Sequence, residues 1–96
     1  MAGDSDKHDY LFISGVFYPD EANQVLMTLI EDKINFHRKN IWSRRERFGE
    51  TDTVGSRRIV ELRQTKADIT ALIEQAESSE QRLRINCTIE ITLTPD

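Results

Sequence analysis

RLRINCTIEITL, residues 82–93, alternates without a break. Leu83, Ile85, Cys87, Ile89, Ile91 and Leu93 fall on one side; Arg84, Asn86, Thr88, Glu90 and Thr92 fall on the other. A period of two is that of an extended chain whose successive side chains point to opposite faces, so the stretch predicts a β-strand with one buried and one wet face. A strand needs a neighbour, and the other candidate lies near the start of the chain. YLFISGVFY, residues 10–18, is rich in aromatic and β-branched residues. Leu11, Ile13 and Phe17 alternate there with Tyr10, Phe12, Val16 and Tyr18. Both sides are apolar, so this strand is expected to be covered on both faces. Gly15 hints at a bulge or a close backbone approach.

Between the two strands the period changes from two to three and four. Tyr18-Pro19-Asp20-Glu21 opens a helix, because proline is tolerated in a first turn where its missing N–H has no partner anyway. The two carboxylates that follow suit the positive end of the helix dipole. Ala22, Val25/Leu26, Leu29/Ile30, Ile34, His37 and Ile41 carry an apolar stripe towards Phe48, and Gly49 is a natural stop. GETDTVGS, residues 49–56, reads as a turn in which Thr51, Asp52 or Thr53 caps a second helix. From about Arg57, the series Ile59, Leu62, Lys66, Ile69, Ile73, Ala76 steps by three and four like a coiled-coil seam, broken only by Lys66. That helix should fade around residues 77–80.

The order is therefore strand, long helix, long helix, strand. It predicts an α+β fold in which an antiparallel helical hairpin packs on a small antiparallel sheet. A first helix of ~28 residues would be ~42 Å long, whereas a strand of nine or ten residues spans only ~30 Å, so the hairpin tip should project. Ninety-six residues make one domain, expected to comprise residues 10–96 behind a polar arm, residues 1–9. Two strands alone make a marginal sheet. The two-sided first strand and the narrow helical seam together exceed what so small a monomer can bury, and a homodimer with a four-stranded sheet or a four-helix bundle would bury both.

Charge is segregated along the chain. Residues 1–36 hold seven acids and two bases, residues 37–66 nine bases and four acids, and residues 67–96 six acids and two bases. In a hairpin the middle third becomes one end of the molecule. NFHRKNIWSRRERF, residues 35–48, concentrates five Arg and Lys residues with one carboxylate and three large aromatics, in a protein whose net charge is −4. Arg44, Arg45 and Arg47, with Arg57 and Arg58 across the turn and Trp42 nearby, define a candidate binding surface. Guanidinium forks suit phosphates and carboxylates, and aromatics can stack bases. The plainer reading pairs Arg57 and Arg58 with Glu61 along one helix, packs Phe36 and Phe48 into the core or the tip, and half-buries Trp42 between the helices. The acidic whole also disfavours unspecific nucleic-acid binding.

Chemistry is harder to find. No GxxxxGK[ST], GxGxxG, GxSxG, HExxH or CxxC occurs. His8 and His37 stand 29 positions apart with no cysteine near them, which is not a zinc spacing. The one cysteine, Cys87, lies among inward apolar residues and reads as an inert core thiol. His37, on the apolar stripe, reads as a satisfied or interface histidine. No enzyme, cofactor or metal is therefore expected. No apolar run approaches the ~18 residues of a membrane span, and MAGDSDKHD is too acidic for a signal peptide, so the expectation is a cytoplasmic protein without a membrane partner.

SGVFYPDEA (residues 14–22), KINFH (residues 33–37) and ERFG (residues 46–49) before an acidic turn give about half the chain a resemblance to short uncharacterised bacterial proteins of similar length. That resemblance implies a small stand-alone protein and no known activity, and it assigns no functional residue. The sequence thus favours a non-enzymatic interaction module that works as a homo-oligomer and offers its hairpin tip to a protein partner. The second reading is a small nucleic-acid-binding or regulatory protein that uses the same tip.

Overall fold

A computed structural model describes residues 6–95 of the chain. It has β-α-α-β order: β1 (Lys7–Phe17), α1 (Pro19–Phe48), α2 (Thr53–Ser78) and β2 (Leu83–Thr92). The two strands pair antiparallel in a two-stranded sheet, and the two helices form an antiparallel hairpin, so the fold class is the α+β arrangement expected. Of the polar arm, residues 1–5 lie outside the described residues. Lys7, His8 and Asp9 are not part of an arm: they pair with Thr92, Ile91 and Glu90. The Leu93 N–H adds a bond to the Asp6 carbonyl at 3.0 Å.

Local chemistry sets each boundary. Pro19 stands in the first turn of α1, and the Tyr18 N–H donates to the Glu21 carboxylate at 3.0 Å, so one unpaired amide near the helix start has a partner. Gly49 ends the helix in the left-handed region at φ 65°, its N–H returning to the Arg45 carbonyl. A β-carbon there would meet nothing within 4 Å, so only backbone strain opposes one. Gly49→Ala should cost about 1 kcal/mol in urea unfolding, with Gly49→Asn costing less. The second helix starts four residues earlier than its apolar period suggests. Asp52 accepts from the Gly55 N–H at 2.8 Å, and the cap carries Thr53, Val54, Gly55 and Ser56 into the helix. A β-carbon at Gly55 would come within 2.6 Å of the Asp52 carboxylate, so a larger residue there would push the capping side chain aside.

The core is a single seam between the helices. Ile30 and Ile34 of α1 meet Ile59 and Leu62 of α2, with Met27, Ile41 and Ile69 packed against them. Ala22, Ile73 and Ala76 are buried nearer the sheet. On α1 the seam follows Met27, Ile30, Ile34, His37 and Ile41 in steps of three and four, and on α2 it is the series read from the sequence. Lys66, the interruption in that series, is answered across the seam: its ammonium group donates to the Glu31 carboxylate. One turn along, the Thr70 hydroxyl meets the Met27 sulfur at 3.8 Å. The hydrogen bond from Lys66, and then its charge, hold the Glu31 carboxyl below its ordinary value of 4.5. A depressed folded-state value adds stability above pH 4.5 that is lost as pH falls through the folded value. Glu31→Gln should therefore lower the thermal midpoint at pH 7, and the gap from the unaltered protein should close in acid.

The sheet is a ribbon that leaves the hairpin at their common end. β1 and β2 touch α1 sparingly. The molecule measures 50 × 38 × 15 Å. A helix of 30 residues accounts for ~45 Å of the long axis, but two helices 8–10 Å apart cannot fill a breadth of 38 Å. Hairpin and ribbon are therefore two arms spread in one plane. The radius of gyration is 17.2 Å, against the ~12–13 Å expected of a compact chain of this length.

Candidate interaction surfaces

Two surfaces stand out, the hairpin tip and the inside of the angle between the arms. At the tip, Arg44 and Arg47 lie one turn apart on α1. With Asn40, Ser43, Phe48 and Glu50 they line an open hollow of about 400 Å³. Arg45 lies on another side of the helix, by the 100° step between neighbours. Arg58 is taken by Glu61 at 3.4 Å, the intrahelical pairing the sequence suggests. Arg57 is exposed, and among the described residues Arg44, Arg45, Arg47 and Arg57 make no salt bridge. The tip therefore groups Arg44 with Arg47, and commits Arg58 elsewhere.

The aromatics at this end are not core residues. Phe36 is 53%, Trp42 66% and Phe48 66% exposed, so the expectation that they pack into the core, the tip or between the helices is corrected. The seam is fully occupied by aliphatic side chains and His37, and the helical step places Trp42 outside it. Phe36 is partly attended by the Lys33 ammonium, 5.0 Å from its ring centre, and by an edge contact with His37 at 5.6 Å. The His37 Nε2 is covered and has no hydrogen-bond partner among the described residues, so of the two readings, satisfied or interface histidine, the first is not met within the chain.

The inner surface follows from the strand register. Opposed residues on paired strands share a face, and Leu83, Ile85 and Cys87 oppose Phe17, Gly15 and Ile13. Between Leu11 and Ile13 the register shifts by a bulge, so beyond it Tyr10 opposes Ile89 and His8 opposes Ile91, whereas Leu11 opposes Thr88. The bulge sits three residues before Gly15, the position that drew attention in the sequence. It moves Tyr10 onto the apolar face and Leu11 onto the wet one. The half of the apolar face near the hairpin is part-covered, while Tyr10, Ile89 and Ile91 further out are exposed. Facing it, Phe12 and Ile13 line an open, apolar cleft of about 380 Å³ with Gln24, Val25, Thr28 and Leu29 of α1. Val25, Leu29 and Phe36 recur on one side of α1, roughly two-fifths of a turn from the seam, as a second apolar stripe.

Lys7 reaches Glu90 at 3.1 Å across the ribbon, and this contact raises the lysine above its ordinary value. Cys87 is a free, half-buried thiol on the apolar face. Among the described residues, no group of three His, Cys, Asp or Glu side chains is placed to hold a metal ion, and no helix is long and apolar enough to cross a membrane. No family model, curated protein or solved structure matches the chain.

Proposed function

We propose that this protein is a non-enzymatic interaction module that works as a homo-oligomer, burying the inner faces of its two arms against a second copy and presenting the hairpin tip to a protein partner. The observation that carries this reading is surface area. A folded chain of 11.2 kDa is expected to expose about 5,700 Å², and this one exposes 7783 Å². Allowing for the chain ends, the excess is on the order of 1,000–2,000 Å², at least the roughly 800 Å² per partner of a standard interface. Large hydrophobic residues contribute to it, among them Tyr10, Phe12, Ile89 and Ile91 of the ribbon, which stand 40–55% exposed.

At the tip, the alternation of Arg44, Arg45 and Arg47 with Trp42, Phe48, Glu46 and Glu50 gives a surface of mixed charge with aromatic anchors. Exposed Trp and Arg are the residue types that dominate protein interfaces. The second reading, a nucleic-acid contact, draws support from the same exposed Trp42 and Phe48 beside free guanidinium groups, since bases stack on such rings. Titration of a labelled single-stranded oligonucleotide separates the two. The protein-partner reading expects no saturable binding at about 150 mM salt. Saturable binding that falls linearly in log K against log salt, and is lost in Arg44→Ala/Arg47→Ala, would replace it with the nucleic-acid reading.

A further inference from the structure

The two edges of the ribbon are not equivalent, and their difference points to one mode of self-association. In a two-stranded sheet both strands have a free edge. The edge of β1 is interrupted by the bulge between Leu11 and Ile13, a device that twists an edge away from further pairing. β2 runs for ten residues with no bulge and no proline, and such an edge is a template for another strand. Resting on the reading that the protein is a homo-oligomer, we propose that a second copy pairs along β2, antiparallel about a two-fold axis, with Cys87 opposite Cys87 of the partner subunit.

The register follows from the residues. The apolar positions of β2 are all odd-numbered, so a continuous apolar face requires odd residues to oppose odd ones, and a one-residue slip would set each apolar side chain beside a wet one. Two registers then give nearly full overlap. In one, Thr88 faces itself, Arg84 faces Thr92 of the partner subunit, and Glu90 faces an asparagine. In the other, Cys87 faces itself, Ile85 faces Ile89 of the partner subunit, and Arg84 faces Glu90 of the partner subunit, twice over by symmetry. Opposite charges directly across a strand pair are favourable, and Glu90 would then sit between Lys7 of its own ribbon and a partner arginine. The charges select the second register. Antiparallel pairing also sets the exposed outer half of each ribbon, with Tyr10, Ile89 and Ile91, beside the end at which the other hairpin leaves its sheet. The area left open in one chain is thereby offered cover by the other.

The chain carries its own probe. Directly opposed residues in an antiparallel pair lie ~4.5–5.5 Å apart at Cα, within the ~4.4–6.8 Å span of a disulfide, whereas diagonal neighbours lie ~7–8 Å apart. Native protein is treated with copper(II)–phenanthroline, which takes the two electrons released as two thiols lose their protons and join, and its molar mass is measured before oxidation. The expected result is a dimeric mass before oxidation and rapid cross-linking through Cys87, at least tenfold faster than that of Thr88→Cys placed in Cys87→Ser. Arg84→Glu should weaken the dimer, and Arg84→Glu/Glu90→Arg should restore it. Faster linkage at position 88, or a dimer that links at neither position, overturns the register or the edge while self-association stands. A monomeric mass overturns self-association itself, and the inference with it.

Discussion

Replacing Ile34 by alanine is expected to lower the unfolding free energy by about 3–4 kcal/mol. Ile34 is 4% exposed at the centre of the seam, against Ile30, Ile59 and Leu62. Truncation removes transfer energy and leaves a void that two long helices, held in line by the Glu31–Lys66 pair and by Met27 against Thr70, cannot readily close. The loss is large because the core is so narrow. Only seven hydrophobic residues are buried among the described residues, so few other contacts share the load, and small domains have total stabilities of only about 5–15 kcal/mol. Urea unfolding at a fixed protein concentration measures the change. Val60→Ala, on the exposed side of α2, is the control and should cost less than about 0.5 kcal/mol. Equal losses at the two positions would mean that the seam is not where the stability lies.

The second large effect concerns the inner face. Ile89 is 40% exposed, opposes Tyr10, and stands in the outer half of the apolar face that no part of its own hairpin covers. Ile89→Lys is expected to weaken self-association at least 100-fold, about 3 kcal/mol, because a charge without a partner would have to be buried between the copies. The helical hairpin should survive, since its seam lies elsewhere, so far-ultraviolet circular dichroism should keep its helical signal while sedimentation reports the loss of the larger species. Leu93→Lys, beyond the end of β2, should have a smaller effect. If Ile89→Lys leaves the mass unchanged, the ribbon is not the contact.

Most of the architecture was legible in the sequence because its periods are clean. The alternation from Leu83 to Leu93 and the three-four stepping of Ile59, Leu62, Ile69 and Ile73 each allow one local structure, and the short turn at Gly49 forces the helices to run antiparallel. Lys66 was visible as a break in the seam, but its partner Glu31, 35 residues away, could be found only by setting the helices side by side. For the start of α2 the sequence offered two signals: the cap candidates Thr51, Asp52 and Thr53 included the Asp52 that caps the helix, whereas the apolar period, which begins at Ile59, set the start too late. The bulge in β1 was legible only as a hint at Gly15, and it lies between Leu11 and Ile13 instead. Apolar residues on both sides of the strand disguise a change of parity, so only the pairing with the regular β2 reveals that Tyr10 belongs with Ile13 and Phe17. At the tip, the clustering of arginines was readable, but the exposure of Phe36, Trp42 and Phe48 was not. Large aromatics ordinarily imply burial, and here the seam was already filled.

Self-association is proposed because one chain leaves 7783 Å² exposed, more than a compact monomer of its mass keeps. Static light scattering on the purified protein at about 50 and 500 mM salt, salts that differ threefold in screening length, tests it most directly. About 22 kDa is expected at both, twice the chain mass of 11.2 kDa, because the proposed contact is apolar and hydrogen-bonded at its centre. A mass of 11.2 kDa at both salts would contradict it.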